Sequence, residues 1–92
     1  MKIIFLKSFL DDIKKIKDKN LKAKIKAVIL NIENAETLED LSNVKKMKGY
    51  STAYRIRIGD YRMGFYKETE VVEIARFLKR NDIYKVFPKT KS

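Results

Sequence analysis

The chain has 92 residues, 45% of them hydrophobic and 11% aromatic, which suits one hydrophobic core and excludes a chain kept disordered by its charge. Lys and Arg number 22 against 12 Asp and Glu, a formal net charge of +10, so a nucleic acid or an acidic protein is the natural partner. The chain lacks cysteine and histidine. This excludes disulfides and thiolate metal sites, leaves Lys, Arg, Tyr or carboxylates for any chemistry, and predicts no metal or other cofactor.

Neither a membrane span nor a secretory signal is expected. The apolar run that begins at Lys2 is short, and Asp11 and Asp12 follow it where a signal peptide carries small residues. No other apolar run is long enough to cross a bilayer. The sequence therefore predicts a cytoplasmic protein without a membrane partner.

The N-terminal segment predicts a strand and a helix. Residues 2–6 form a short apolar run that is compatible with a strand. Ser8, with Asp11 in capping-box position, indicates the start of a helix over about residues 9–17.

A second helix and a basic connection are expected next. The break at residues 18–20 supplies a new cap, and apolar residues at helical spacing predict a helix over about 21–33. Thr37 with Asp40 indicates a single capped helical turn. Residues 45–51 are expected to form a basic loop.

Strand patterns dominate the second half of the chain. Residues 53–58 and 61–66 alternate in polarity about Gly59 and Asp60, which is typical of a tight β-hairpin. Residues 71–78 are apolar on both faces, as expected for an interior strand.

The predicted fold class is therefore α+β. It comprises an N-terminal strand, a helical hairpin and a three-strand antiparallel meander that forms a twisted sheet packed on the helices. Residues 1–88 are expected to form one domain, and residues 89–92 a polar tail.

The hairpin register predicts one apolar face and one arginine face. With Gly59 and Asp60 as the loop, the cross-strand pairs are Ile58 with Tyr61, Arg57 with Arg62, Ile56 with Met63, and Arg55 with Gly64. The apolar face, which must pack under the helices, carries Tyr54, Ile56, Ile58, Tyr61, Met63 and Phe65. The opposite face carries Arg55, Arg57, Arg62 and Tyr66.

The arginine face is a candidate anion site. Arg57 and Arg62 repel each other across the strands, and an anion between them would turn that cost into binding, because guanidinium groups match phosphate geometry. Gly64, opposite Arg55, is expected to leave room for a ligand. A solvated face is the ordinary explanation for surface charge, but three arginines without an acidic residue favour a function.

Further candidates lie outside the hairpin. Arg80 and Tyr84 follow the interior strand, where a phenol beside a guanidinium can stack a base and hold its phosphate. Tyr84 and Phe87 can equally pin the tail that starts at Lys79 to the core. Asp60 is too isolated to form a carboxylate pair. The candidate RNA-binding residues are Lys45, Lys46, Lys48, Tyr54, Tyr66 and Lys79. The first three, which cluster in the loop, can also be plain solvated charges.

The element order and two motifs resemble the RelE/ParE toxins of prokaryotic toxin-antitoxin pairs. The motifs are Tyr-Arg-Ile-Arg-Ile-Gly-Asp-Tyr-Arg at residues 54–62 and Lys-Arg-Asn-Asp-Ile-Tyr at residues 79–84, and the resemblance covers about residues 1–88. RelE-like members are endoribonucleases that enter the ribosomal A site and cut mRNA, whereas ParE-like members poison DNA gyrase on a similar fold. An acidic antitoxin usually silences either kind.

The resemblance to the RelE branch implies a site of five residues. It implies basic catalytic residues at Arg55 and Arg57, phosphate-stabilising arginines at Arg62 and Arg80, and a base-stacking tyrosine at Tyr84. The implied chemistry is attack by the RNA 2′-hydroxyl on its adjacent phosphate, which needs a base, an acid and positive charge but no metal.

The sequence leaves the general base open. RelE proteins can carry lysines where this chain has Arg55 and Arg57, and a guanidinium is a poor base because it keeps its proton. The alternatives are a group of the ribosome or one of the side chains Tyr84, Lys46, Lys48 and Lys79.

The predicted function is that of a toxin from a type II toxin-antitoxin system, a metal-independent endoribonuclease that cleaves mRNA on the ribosome and inhibits translation. Tyr84 favours this branch, because gyrase-poisoning members commonly lack the closing motif. The alternatives are a ParE-like gyrase poison and a non-catalytic basic nucleic-acid-binding module. The expected partners are mRNA in the ribosomal A site and a cognate acidic antitoxin.

Overall fold

A computed structural model of the chain describes residues 1–88, and the predicted tail at 89–92 lies outside the described residues. The helices found there are α1 (Lys7–Lys14), α2 (Lys19–Asn34) and α3 (Arg80–Val86), with a 3₁₀ turn at Leu38–Asp40. The strands are β1 (Lys2–Phe5), β2 (Val44–Lys46), β3 (Ala53–Ile58), β4 (Tyr61–Glu68) and β5 (Val71–Lys79). No helix of this part of the chain is both long and apolar enough to cross a membrane.

The strands form one sheet in the order β1-β5-β4-β3-β2. β1 runs parallel to β5, and the other neighbours are antiparallel. The main core lies between this sheet and the first two helices, and its buried residues include Phe9, Ile25, Ile32, Ile56, Met63, Phe65, Ile74 and Phe77. A smaller cluster joins α3 to the opposite face through Ala53, Ala75, Ile83 and Phe87. The α+β prediction is confirmed.

The β3–β4 hairpin has the predicted register. All four expected pairs are present, including Arg57 with Arg62. Gly59, at φ 59°, takes the left-handed backbone conformation that such a tight turn requires. On the apolar face, Tyr61 stacks on Phe77 with ring centroids 5.0 Å apart, so this face lies in the main core as expected.

The helix α1 begins at Lys7 rather than residue 9, and Ser8 is not its cap. The Ser8 hydroxyl instead donates to the carbonyl oxygen of Ala75 in β5 at 2.6 Å. The strand β1 pairs with only the first part of β5. Beyond it, side chains of α1 bond to the backbone groups of β5 that face the same side. The predicted capping box of Ser8 and Asp11 was therefore wrong, because the hydroxyl serves a contact distant in sequence.

Asp12 fastens α1 to β5. Its carboxylate is only 4% exposed and accepts hydrogen bonds from the backbone N–H of Phe77 at 2.9 Å and from Nε and Nη2 of Arg76 at 2.8 and 3.2 Å. A buried charge needs such partners. Asp12 thus accepts a hydrogen bond from the backbone of β5 and also neutralises the charge of Arg76.

The second helix and the turn after it agree with the sequence. The Asp18 carboxylate accepts from two backbone N–H groups in the first turn of α2, which is the predicted N-cap. The Asp40 carboxylate accepts from the backbone N–H of Thr37, as expected for a capped turn.

Two elements differ from the sequence prediction. The expected loop at 45–51 overlaps β2, which pairs antiparallel with β3, so the meander has four strands rather than three. A three-residue strand is too short to show an alternating pattern.

Residues 80–86 form α3 rather than an irregular tail, and Phe87 is 3% exposed, which confirms the alternative that this residue pins the segment to the core.

Candidate active site

A cleft forms where the β3–β4 turn meets the start of α3. The backbone N–H of Arg80 donates to the carbonyl oxygen of Asp60 at 2.9 Å, so the first residue of α3 is fastened to the hairpin turn. The cleft has a volume of about 560 Å³ and opens to solvent. Its position brings the two sequence motifs, residues 54–62 and 79–84, to one place.

The lining of the cleft is rich in charge. Its cations are Arg57, Arg62, Lys79 and Arg80, its carboxylates are Asp60 and Asp82, and Gly59 and Asn81 complete it. A concave surface on which cations outnumber carboxylates focuses a positive potential. The arrangement suits an anionic group such as a phosphate.

Arg62 is the buried member of this set, with 7% of its surface exposed. Its Nη1 donates to the carbonyl oxygens of Gly59 and Tyr61 at 3.0 and 2.9 Å, so the guanidinium is held against the hairpin turn. Its Nε is buried and has no hydrogen-bond partner within the described residues. An unpaired buried donor is costly in free energy, so the guanidinium is only partly satisfied by the hairpin turn.

The five predicted catalytic residues divide into two groups. Arg57, Arg62 and Arg80 line the cleft, whereas Arg55 and Tyr84 do not. Arg55 is half-buried further along β3, opposite Gly64 and beside Lys45 of β2. Tyr84 is 45% exposed and lies one helical turn after Arg80, so both side chains emerge on the same side of α3.

The predicted RNA-binding lysines are spread over two places. Lys79 lines the cleft. Lys46 and Lys48 line a separate shallow depression beside Gly49 and Tyr50, which the antiparallel pairing of β2 with β3 puts at the end of β3 away from the turn.

The space expected above Gly64 is filled. A Cβ atom on Gly64 would lie 2.7 Å from ring atoms of Phe87, because α3 folds back across this face of the sheet. The expectation that a ligand approaches the backbone here was therefore wrong.

The two tyrosines predicted to bind RNA pack against other rings of the protein. Tyr66 contacts the Phe87 ring, with centroids 5.2 Å apart, while Tyr54 stacks on Phe65 at 5.6 Å on the apolar face.

Sequence reasoning missed the carboxylates of the cleft. It treated Asp60 as isolated and gave Asp82 no part, yet both line the same cavity. Asp82 lies in the first turn of the helix that follows β5 directly. This position near the end of a buried strand was the available signal, since side chains at strand ends often meet in a site. Within residues 1–88, no group of three or more acidic side chains lies close enough to hold a metal ion.

Comparison with known proteins identifies the family of the chain. The family model of the ParE toxin of type II toxin-antitoxin systems, parDE, matches residues 3–84. The curated protein Toxin RelE3 from Methanocaldococcus jannaschii is 38% identical over 89 residues, which span 96% of this chain and 100% of that protein.

Solved structures agree with these matches. The toxin in a RelB-RelE antitoxin-toxin complex from Methanococcus jannaschii superimposes with a TM-score of 0.78 at 35% identity, covering 92% of this chain and 99% of that one. The YoeB dimer from Staphylococcus aureus has a TM-score of 0.68 at 22% identity, with 83% and 92% covered; at that identity it supports the fold alone. The chain therefore belongs to the RelE/ParE superfamily of toxins from type II toxin-antitoxin systems and is RelE-like within it.

Proposed function

We propose that the protein is a metal-independent endoribonuclease that acts in the cytoplasm, cleaves mRNA on the ribosome and so inhibits translation. The observation that carries the proposal is the cleft in which Arg57, Arg62, Lys79 and Arg80 surround an open space. RNA brings its own nucleophile, the 2′-hydroxyl. A protein without histidine can therefore cleave it through charge stabilisation and proton transfer.

In this reaction the 2′-oxygen attacks the adjacent phosphorus and the bond to the 5′-oxygen breaks, which leaves a 2′,3′-cyclic phosphate and a 5′-hydroxyl. The phosphorane carries more negative charge than the starting diester, so cationic donors stabilise the transition state more than the substrate. Arg57 and Arg80 are exposed in the cleft and suit the non-bridging oxygens. Lys79, an ammonium donor in the same lining, suits protonation of the 5′-oxygen.

Arg62 supplies a donor that is ordered before RNA binds. Its Nη1 is held by the carbonyl oxygens of Gly59 and Tyr61, so little side-chain entropy is lost on binding. A phosphate oxygen in the cleft that reaches a further N–H of this guanidinium would form a charge-assisted hydrogen bond. The burial of Arg62 is thus compatible with the phosphate-stabilising role expected from its motif.

The same face offers contacts for the rest of the message. Arg55 and its cross-strand neighbour Lys45 would contact phosphates next to the cleaved one, with Lys46 and Lys48 further along. Tyr84, exposed one turn after Arg80 on α3, would stack an mRNA base.

The proposal includes an acidic protein partner. RelE proteins from Methanococcus jannaschii and Pyrococcus horikoshii were crystallised with RelB, and a net charge of +10 favours an acidic antitoxin. Such a partner would silence the toxin by covering the cleft or displacing the C-terminal segment.

A second candidate function is poisoning of DNA gyrase. The family model that matches residues 3–84 is that of the ParE toxin, and a cationic cleft suits DNA phosphates as well as RNA phosphates. This candidate predicts double-strand DNA breaks with intact mRNA. A non-catalytic nucleic-acid-binding module predicts neither effect.

The experiment that separates these functions uses purified toxin and ribosomes stalled on a defined mRNA. Primer extension should map cuts to the codon in the A site, and the same mRNA without ribosomes should stay intact. A gyrase cleavage assay runs in parallel. Intact mRNA on the ribosome together with linearised plasmid in the gyrase assay would refute the ribonuclease function.

A further inference from the structure

The cleft holds two carboxylates among its cations, Asp60 and Asp82. Neither side chain forms an ion pair or a hydrogen bond with any part of the chain that the structure describes. A carboxylate repels the phosphate that the surrounding cations attract. A site that only binds RNA would do better without these groups, so their presence needs an explanation.

The two carboxylates differ in how far their local structure explains them. Asp60 occupies the β3–β4 turn beside Gly59, a place where short polar residues are favoured, and its backbone carbonyl holds Arg80. Asp82 lies in the first turn of α3, where an acidic side chain commonly accepts a backbone N–H. In this structure the helix start has no side-chain cap, so a hydrogen-bonded cap does not account for Asp82, and its local structure offers only the general attraction of a carboxylate to a helix N-terminus.

The reaction needs a proton acceptor inside the cleft. A guanidinium and an ammonium have no lone pair that can accept a proton. The charged arginine and lysine side chains of the lining are therefore excluded as the base. Lys46 and Lys48 lie in a separate depression, and Tyr84 does not line the cleft. Among the ionisable side chains that line the cleft, the carboxylates are the acceptors that remain.

We propose that Asp82 is the general base of the cleavage reaction. A carboxylate oxygen of Asp82 takes the proton of the 2′-hydroxyl while the bond from the 2′-oxygen to phosphorus forms. The bond from phosphorus to the 5′-oxygen breaks, and the leaving oxygen takes a proton from Lys79. Electrons and protons balance without any further reactant. The inference rests on the proposed ribonuclease function and deepens it.

The fold holds this carboxylate next to the phosphate donors. The bond between Arg80 N–H and the Asp60 carbonyl oxygen, 2.9 Å long, ties the first turn of α3 to the hairpin that carries Arg57 and Arg62. Ile83 anchors the same turn in the core, with 1% of its surface exposed. Asp82 therefore keeps its place relative to the arginines that would bind the phosphate.

The test is single-turnover cleavage of mRNA on stalled ribosomes by Asp82→Asn, which keeps the shape of the side chain and removes the base. Loss of a general base should slow cleavage by roughly 10²- to 10⁴-fold, while binding to the ribosome persists. Asp11→Asn, an exposed carboxylate on α1, is the matched control and should cleave at the wild-type rate. Asp60→Asn tests the rival assignment and should slow cleavage less than Asp82→Asn.

Rescue distinguishes a base from a structural residue. Added formate should restore part of the activity of Asp82→Ala, since a small carboxylate can occupy the space, and Asp82→Glu should retain more activity than Asp82→Asn. Wild-type rates in Asp82→Asn overturn the assignment, as does a loss that neither formate nor glutamate relieves. A wild-type protein that leaves mRNA intact refutes the ribonuclease proposal instead.

Discussion

At the scale of single residues, Arg62 combines a structural contact with the phosphate-stabilising role proposed for it. It is nearly buried, bonded through Nη1 to the hairpin turn, and unpaired at Nε. Arg57, its cross-strand partner, is exposed. The two arginines of one pair therefore have different environments, which the alternating pattern of the hairpin could not reveal.

This difference predicts unequal effects of a conservative change. A lysine at position 62 lacks the planar guanidinium whose fixed geometry places Nη1 against the carbonyl oxygens of Gly59 and Tyr61. Arg62→Lys should therefore lower the free energy of unfolding by about 1–3 kcal/mol. Arg57→Lys, at an exposed position, should change it by less than about 0.5 kcal/mol. Urea denaturation of the two variants measures both values. Equal stabilities would show that the turn does not depend on Arg62.

At the scale of secondary-structure elements, the position of α3 decides whether the cleft exists, because Arg80, Asn81 and Asp82 belong to this helix. The helix is held by Ile83 and Phe87 in the smaller core and by the backbone bond to the turn. The absence of a side chain at Gly64 lets Phe87 lie against β4.

The contact between Gly64 and Phe87 can be tested with a double-mutant cycle. Gly64→Ala places a Cβ atom 2.7 Å from the ring, and this overpacking should cost about 1–3 kcal/mol of stability. In a Phe87→Ala background the ring is gone, so the same change should cost far less. Thermal or urea unfolding of the four proteins gives the coupling energy, and equal costs in both backgrounds would contradict the packing described.

The junction between α1 and β5 makes a second prediction at this scale. Asp12→Ala removes the acceptor for Arg76 and for the N–H of Phe77, and breaking a buried pair should cost about 3–5 kcal/mol. The neighbouring pair of Asp11 with Lys14 is exposed, with its charges 4.0 Å apart, so Asp11→Ala should cost less than about 1 kcal/mol. Similar midpoints in urea for both variants would argue against an anchoring role for Asp12.

Elements with strong local signals were predictable from the sequence, and elements made by distant partners were not. The hairpin register follows from polarity that alternates about Gly59 and Asp60, and α2 from its apolar spacing and the cap Asp18. The strand β2 exists because the edge of β3 pairs with it, and Ser8 bonds to β5 rather than to its own helix. Such contacts leave no periodic trace in the chain.

The candidate site shows the same division. Arg57 and Arg62 were placed on one face by register, which depends on neighbouring residues alone. The burial of Arg62 and the position of Asp82 in the cleft depend on how α3 packs against the hairpin turn. No local sequence pattern specifies this packing.

At the scale of the whole molecule, the net charge of +10 combines a focused part in the cleft with a dispersed part on the surface. The dispersed lysines attract polyanions over a distance set by the ionic strength. Only cations that contact phosphates release counterions when RNA binds.

Salt dependence separates the two parts. Removal of one phosphate contact should reduce the slope of log K against log salt concentration by about 0.7 for single-stranded RNA, so Arg57→Gln should show this reduction. Lys24→Gln, exposed on α2 over the other face of the sheet, should keep the wild-type slope. Fluorescence anisotropy with a labelled RNA that lacks the attacking 2′-hydroxyl measures both, and an equal loss of slope would mean that binding is diffuse.

If the cleft between the hairpin turn and α3 carries the proposed chemistry, removing a charge from its lining should slow the reaction far more than removing a charge elsewhere on α3. Single-turnover mRNA cleavage on the ribosome by Arg80→Gln and by Lys85→Gln makes this comparison. Both variants lose one positive charge from the same helix, but Arg80 lines the cleft and Lys85 does not. We expect Arg80→Gln to cleave at least about 10²-fold more slowly than the wild type and Lys85→Gln to match it. Equal rates in the two variants would show that the chemistry does not depend on the cleft.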